Sequence, residues 1–182
     1  MIKKIKASKS EKIIFFFVIS LAIFSLSSFF LIKNKCLFVK NYDPEKLSFD
    51  KPNNIAILNV ECGNVIIELY PNISPNAVER FKTLVRSKAY DDVAFHRVIK
   101  DSLVQAGDLE FGKKGNIDYG KIGTGQSGLG TINSEVDVPF NYERGSVGLA
   151  RTQKYNTEDS QFFVTLKDEP LYESEYTPIG KV

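Results

Sequence analysis

The sequence predicts a mainly β fold, built as an antiparallel sheet with one packed helix. Two neighbouring apolar runs are separated by a tight glycine turn, which is typical of a β-hairpin. One later segment carries apolar residues at helical spacing, and the segments after it are short runs between glycine-rich or polar loops. The 182 residues suit one domain with an appendage and exclude most two-domain enzymes.

The hairpin is predicted where IAILNVE and VIIELY flank Gly63, which supplies the positive φ that such turns need. The helix is predicted to begin at Ser74-Pro75, because serine can cap a free backbone N–H and proline suits the first turn. One apolar stripe follows this helix: Val78, Phe81, Leu84 and Val85. Later strands are predicted in VAFHRVI, SLVQAG, GSVGLAR and QFFVTL.

The first forty residues predict a membrane anchor. Residues 13–32 form a run of 20 residues without a charge, and a helix of that length spans about 30 Å, the thickness of the bilayer hydrocarbon. A cleaved secretory signal is the alternative, because Ser25-Leu26-Ser27 offers a small-x-small site. Cleavage there would leave four large apolar residues at the new N-terminus, which favours the uncleaved anchor.

More lysines precede the apolar run than follow it closely, so the positive-inside rule places the N-terminus in the cytoplasm. The body then lies outside the cytoplasm, on the periplasmic side of the inner membrane in a double-membraned bacterium. The chain is accordingly divided into four parts: a basic flank 1–12, an anchor or signal segment 13–32, a linker 33–53 and a folded domain 54–182.

Charge is distributed unevenly along the chain. Residues 1–40 hold eight lysines and one acid, whereas residues 41–182 hold 16 basic and 21 acidic side chains. An acidic body argues against nucleic-acid binding, which depends on Lys and Arg at the phosphates. Two cysteines and one histidine indicate neither a disulfide framework nor a zinc site. We therefore expect Cys36 to be a free thiol and expect no metal and no cofactor.

A glycine motif at Gly123, Gly125 and Gly128 matches the dinucleotide pattern G-x-G-x-x-G. That pattern binds a pyrophosphate only where it follows a buried strand and opens a helix. Neither context is predicted on either side of these glycines, so a nucleotide site is not indicated.

Arg97 is the first functional candidate, because a charge on a largely apolar strand needs a partner or a use. A structural salt bridge and a functional arginine are equally open at this point. Gln161 and Phe163 alternate onto one face of a strand, a pattern typical of sheet packing. His96 has no cysteine or serine partner nearby in sequence, which favours a structural histidine.

Two segments of the chain resemble segments of the cyclophilins. The first is AFHRVIKDSLVQAGD, whose family counterpart ends in Gln-x-Gly-Gly-Asp, and the second is GSVGLARTQKYNTEDSQFFVTL, whose family counterpart runs to Ser-Gln-Phe-Phe. The resemblance runs from about Asn54 to Val182 with the motifs in family order. It implies a closed eight-stranded antiparallel barrel with capping helices and a shallow groove on its outer face. The family's final strand and helix are not found within these 182 residues, so the resemblance implies an incomplete domain.

The resemblance further implies peptidyl-prolyl cis-trans isomerase activity on proline-containing polypeptides, without metal or cofactor. Arg97 takes the position of the catalytic arginine, and Gln105 lies beside it as a second catalytic residue. The resemblance also implies a set of substrate-binding residues: His96, Leu103, Ala150, Arg151, Gln161, Phe163, Leu171, Tyr172 and Tyr176. We expect a monomer attached to the membrane by its N-terminal helix.

Departures from the family pattern leave a second hypothesis open. Ser102 stands where the family usually has a phenylalanine, Ala106 replaces a glycine, and Pro178 falls in a strand position. Leu171 replaces a common tryptophan, which predicts weak binding of cyclosporin-like ligands. These changes would suit a non-catalytic module that binds proline-containing segments, whereas Arg97 together with Gln105 favours the enzyme. A third hypothesis, a tethered β-domain without a ligand, requires the whole set to be coincidental.

Overall fold

The computed structural model describes residues 8–33, 36, 39–40 and 42–182. Contacts divide the chain into two compact units, Met1–Tyr42 with Val60–Gly63, and Asp43–Asn59 with Asn64–Val182. Parts of the predicted flank 1–12 and linker 33–53 lie outside the described residues: 1–7, 34–35, 37–38 and 41.

The first unit contains the apolar helix α1, Lys9–Lys33, none of whose residues is buried. It contains the whole predicted run 13–32 and is long and apolar enough to cross a membrane. Beyond it, Cys36 forms a disulfide with Cys62, and their Cα atoms are 5.0 Å apart. The expectation of a free Cys36 is therefore wrong, because its partner lies in the turn of the predicted hairpin.

The sheet is a curled antiparallel half-barrel of seven strands in the order β1-β2-β7-β5-β6-β4-β3. Its strands are β1 Ile55–Val60, β2 Gly63–Leu69, β3 Arg97–Ile99, β4 Leu103–Ala106, β5 Ser146–Leu149, β6 Phe162–Thr165 and β7 Pro178–Lys181. Short 3₁₀ helices occur at Pro44–Lys46, Pro52–Asn54 and Pro170–Tyr172. Within the described residues, β1 and β3 are the outer strands, so the closed eight-stranded barrel is not confirmed.

The predicted hairpin is confirmed as β1 and β2, and Gly63 has a φ of 147°. The predicted strand VAFHRVI is shorter than expected, because only Arg97–Ile99 is regular and Val93 forms an isolated bridge with Lys113. Pro178 is the first residue of β7, beside an irregularity in its pairing with β5. A proline that begins a strand is tolerated there.

Helix α2, Pro75–Arg86, buries Ala77, Val78, Phe81 and Leu84, whereas Val85 of the predicted stripe is 39% exposed. Phe81 is 3% exposed, and its ring lies 5.2 Å from Tyr90 and 5.3 Å from Phe162 between centroids. The buried core around it joins α2 to the strands and consists of Ala56, Ile67, Leu69, Ala77, Val78, Phe81, Ala106, Val147, Leu149, Phe162, Val164 and Ile179. Burial of this face accounts for the position of the helix.

The N-terminus of α2 is capped from another segment of the chain. Ser74 occupies the N-cap position, but its side chain makes no capping hydrogen bond. Instead, the Glu135 carboxylate accepts N–H bonds from Asn76 at 3.2 Å and Ala77 at 2.9 Å. The predicted position of the cap is right, but the predicted hydrogen bond from the serine side chain is wrong. The Glu135 carboxylate, 58 residues from Ala77, accepts from the free N–H donors instead.

We predict that Phe81→Ala lowers the free energy of unfolding by about 3–5 kcal/mol, since it removes a buried ring and leaves a cavity. Chemical denaturation of the full chain in detergent measures this. Val85→Ala on the same helix is the control, because Val85 is 39% exposed. An equal loss for both variants would contradict the assigned core.

Candidate functional site

Three predicted site residues lie side by side across neighbouring strands. Arg97 on β3 pairs with Gln105 on β4, and Gln105 pairs with Phe163 on β6. Residues directly opposite each other in a sheet present their side chains on the same face. The register therefore places an arginine, a glutamine and an aromatic ring in one row.

Arg97 is held by an amide. Its Nη1 donates to Gln105 Oε1 at 3.2 Å, and Gln105 Nε2 donates to Gln161 Oε1 at 2.9 Å. No ion pair in the described part of the chain includes Arg97, so the salt bridge left open by the sequence is not found there. The bond to Gln105 uses one of the five N–H donors of the guanidinium.

An aromatic cluster packs around the Phe163 end of this row. Phe163 is 3% exposed, and its ring centroid lies 5.2 Å from Tyr176, 5.6 Å from Tyr172 and 5.9 Å from Tyr142. Leu103 is buried in the same cluster, with Phe140 and Ala150 packed against it. Phe162, the preceding residue, packs in the opposite core, as the predicted alternation requires.

Tyr172 packs against this cluster, whereas Leu171 is 83% exposed and lies outside it. Burial first, and then the Glu169 carboxylate, raise the pKa of Tyr172, while the nearby Arg97 guanidinium opposes the rise. Ser102, where a phenylalanine was expected from the resemblance, donates to Glu169 at 2.9 Å. Tyr172 thus supplies an aromatic ring at the edge occupied by Arg97.

A polar groove of about 230 Å³ continues from Gln105 and Gln161 to Ala150 and Arg151. The Arg151 guanidinium is fixed by Glu175, with Nε donating to the backbone oxygen at 2.9 Å and Nη2 to the carboxylate at 2.8 Å. It also stacks 4.1 Å from the centre of the Tyr155 ring. Arg151 therefore forms a rigid wall, with its charge compensated.

His96 is half-buried, and burial lowers its pKa, so the imidazole is neutral at pH 7. Its backbone N–H donates to the carbonyl of Gln105. The ring lies close to Gly123, where a Cβ would come within 3.4 Å of the histidine Cδ2. His96 packs against the loop and keeps it close to β4.

Asp108 is a residue of the site that the sequence reasoning missed. It is fully buried, and Oδ2 accepts N–H bonds from Gly123 at 2.6 Å and Gly125 at 2.9 Å, while Oδ1 accepts from Phe111 at 2.8 Å and Glu110 at 3.2 Å. The glycines of the G-x-G-x-x-G motif allow the backbone to approach the Asp108 carboxylate this closely. Gly123 has a φ of 96°, and a Cβ on Gly125 would collide with the Asp108 carboxylate.

These four donors determine the ionisation of Asp108. Burial alone would raise its pKa, but the N–H bonds from Phe111, Gly125, Gly123 and Glu110 outweigh burial and lower the pKa below its ordinary value. A carboxyl group with a lowered folded-state pKa contributes stability above its unfolded pKa and loses it as the pH falls.

We predict that Asp108→Asn flattens the decline in the free energy of unfolding between about pH 5 and about pH 2, because the variant has no proton to bind there. Denaturation of the full chain at a series of pH values measures the slope. Asp118→Asn is the control, since it removes an exposed carboxylate from the same loop. Equal slopes for the two variants would contradict the assigned role of Asp108 in stability.

Comparisons with known proteins identify the family of this chain. Residues 55–182 match the family model described as cyclophilin type peptidyl-prolyl cis-trans isomerase/CLD. A probable peptidyl-prolyl cis-trans isomerase of Brucella suis biovar 1 (strain 1330) is 43% identical over 134 residues, covering 72% of this chain and 67% of that protein. Peptidyl-prolyl cis-trans isomerase ppi1 of Schizosaccharomyces pombe is 32% identical over 130 residues, covering 69% of this chain and 76% of that protein.

Two solved structures are similar to the fold. A cyclophilin-type isomerase of Cryptosporidium parvum, crystallised in the presence of the dipeptide Ala-Pro, has a TM-score of 0.56 and 29% identity, covering 65% of this chain and 72% of that chain. A cyclophilin of Hirschia baltica has a TM-score of 0.60 at 21% identity, covering 79% of this chain and 71% of that chain. The family match and the 43% identical relative show that this chain belongs to the cyclophilin-type peptidyl-prolyl cis-trans isomerases, enzymes that catalyse rotation about the peptide bond before proline.

Proposed function

We propose that Arg97 and the aromatic cluster beside it carry out the isomerisation of X-Pro bonds in polypeptides outside the cytoplasm. The observation that carries the proposal is the Arg97 guanidinium, held by the neutral amide of Gln105 next to the aromatic cluster of Phe163. The reaction needs no covalent chemistry. It needs a donor at the reacting nitrogen and a surface that holds the proline ring.

The barrier to X-Pro rotation comes from amide resonance and is about 18–20 kcal/mol. When the bond twists, resonance is lost and the proline nitrogen recovers a lone pair. A guanidinium N–H can donate to that lone pair, and a guanidinium carries five such donors in a fixed planar arrangement. This bond is stronger in the twisted state than in either planar ground state, so it lowers the barrier.

The proline ring would bind against Phe163, Leu103, Tyr172 and Tyr176. An apolar surface of this kind excludes water, which strengthens the hydrogen bond from Arg97. A relative crystallised with Ala-Pro supports a proline-peptide ligand for this chain. Leu171, at the surface, has little opportunity to contact a ring held in the cluster.

Gln105 acts by positioning Arg97. Its amide oxygen accepts from Arg97 and its amide nitrogen donates to Gln161, so both ends of the side chain are engaged within the protein. Gln161, Ala150 and Arg151 would border the peptide on the side of the polar groove, while His96 packs behind it.

The second candidate is a module that binds proline-containing segments without isomerising them. The replacement of the expected phenylalanine by Ser102 favours it. Tyr172 weakens that argument, since its ring packs against Phe163 and supplies an aromatic wall. The arginine distinguishes the two functions, because only the enzyme requires a donor at the twisted bond.

We predict that Arg97→Ala lowers kcat/KM for an Ala-Pro peptide by about 10²- to 10³-fold, the usual loss when a transition-state donor is removed. NMR exchange spectroscopy on the peptide, with the full chain in detergent, measures the rate. Lys100→Ala, an exposed cation one residue beyond β3, is the control. A folded Arg97→Ala protein with wild-type activity would refute the mechanism.

We also propose that residues 13–32 anchor the chain and that the linker 33–53 holds the domain 54–182, as a monomer, outside the cytoplasm. The helix α1 and the excess of lysines before the apolar run support this orientation. The disulfide between Cys36 and Cys62 supports it independently, since such bonds persist in oxidising compartments and are rare in the cytosol.

This orientation predicts the reactivity of the two cysteines in spheroplasts of a double-membraned bacterium that expresses the full chain. A membrane-impermeant maleimide added outside should label neither cysteine until an external reductant is added, and then both. The variant Cys62→Ser, which leaves Cys36 single, should be labelled without reductant. Labelling of the wild type before reduction, or none of Cys62→Ser, would contradict the orientation or the disulfide.

We further propose that one more strand, between β1 and β3, completes the eight-stranded barrel implied by the resemblance. Ile57 on β1 is 50% exposed and Val98 on β3 is 65% exposed, and both strands have a free edge within the described residues. A cavity of about 470 Å³ with a mixed polar and apolar lining lies between β1 and residues 90–95. Unpaired strand edges with exposed apolar side chains suit the addition of a strand.

A further inference from the structure

Asp108 and Arg97 are connected by an unbroken series of hydrogen bonds. Asp108 Oδ2 accepts from the N–H groups of Gly123 and Gly125, and the carbonyl oxygens of the same two glycines accept from Gln161 Nε2, at 3.0 Å each. Gln161 Oε1 then accepts from Gln105, whose own oxygen accepts from Arg97. If the side-chain amide of Gln105 or Gln161 were flipped, so that its oxygen and nitrogen changed places, the series would be broken.

The direction of the series follows from the chemistry of its two ends. A carboxylate can only accept, so the glycine N–H groups must face Asp108. Carbonyls can only accept as well, so Gln161 must present its NH₂ group to the loop and its oxygen to Gln105. Gln105 must then present its oxygen to Arg97, which can only donate. The orientation of each group is therefore determined by its neighbour, from the buried carboxylate of Asp108 to the exposed guanidinium of Arg97.

We propose that Asp108 is a positioning residue for the isomerisation, and that it fixes the Arg97 guanidinium through the Gly123–Gly125 loop, Gln161 and Gln105. The inference rests on the proposed role of Arg97. Asp108 does not reach the substrate. Its effect is to keep the loop carbonyls where they determine the orientation of both amides, so that the guanidinium is preorganised beside the aromatic cluster.

Asn is the informative replacement at position 108. It has nearly the same shape as Asp but a single acceptor oxygen, so its NH₂ group must face either the N–H groups of Gly123 and Gly125 or those of Glu110 and Phe111. Either orientation loses two of the four bonds and displaces the buried side chain against the loop. The hydrogen bonds from Gln161 to the loop carbonyls would then weaken, and the bond from Gln105 to Gln161 would weaken with them. Misplacing a reactive group by about 1 Å can reduce a rate by about 100-fold.

The test is a double-mutant cycle on kcat and KM, with the full chain in detergent at pH 7. We expect Asp108→Asn to lower kcat by about 10- to 100-fold with a smaller change in KM. Asp118→Asn, the matched control, should leave both unchanged, because its exposed carboxylate accepts from Gly120 and pairs with Lys121 at the surface. In the Arg97→Ala background, Asp108→Asn should have little further effect, since the route through Arg97 is already removed.

Three results overturn the inference while leaving the proposed function in place. One is wild-type kcat in a folded Asp108→Asn protein. Another is a loss of kcat on Asp108→Asn that is equally large in the wild-type and Arg97→Ala backgrounds, which indicates an effect independent of the guanidinium. The third concerns Gln161→Leu, which breaks the series without touching Asp108 and serves if Asp108→Asn does not fold. Wild-type kcat in that variant refutes the series. Arg97→Ala with wild-type activity overturns the proposed function itself, and this inference with it.

Discussion

The hydrogen bond from Arg97 to Gln105 is the contact on which the site depends, because it holds the guanidinium beside an aromatic cluster through a neutral partner. A carboxylate in that place would neutralise the charge and occupy donors that the twisted peptide bond needs. The sheet makes the contact possible. The register between β3, β4 and β6 sets Arg97, Gln105 and Phe163 in one row, so a single slip of one strand would separate them.

The glycine-rich loop illustrates how an anion-binding backbone can serve a site by binding a carboxylate of its own chain. Its N–H groups converge on a carboxylate, as such loops do on phosphates, but the carboxylate is that of Asp108 in the same chain. Burial of that charge is tolerated because four backbone donors satisfy it. The same glycines present their carbonyls to Gln161, so the structural contact and the functional one share two residues.

Local sequence patterns predicted much of this architecture. The β1–β2 hairpin, helix α2 and the opposite faces of Phe162 and Phe163 follow from turn chemistry and apolar periodicity, and all three are confirmed. Long-range contacts could not be predicted in this way. The Glu135 cap on α2, the Cys36–Cys62 disulfide and the contacts of Asp108 join segments far apart in sequence, and no local spacing encodes them. Leu171 and Tyr172 are neighbours in a 3₁₀ turn, where family position alone does not decide which side chain faces inward.

The central claim, that a series of fixed hydrogen bonds holds Arg97 in place, is tested most directly by NMR of the glutamine side-chain amides. In the ¹⁵N-labelled full chain in detergent, the NH₂ protons of Gln161 should exchange with water far more slowly than those of the exposed Gln153, because both loop carbonyls accept from Gln161. The NH₂ group of Gln105 should be protected as well. Exchange at Gln161 as fast as at Gln153 would contradict the account.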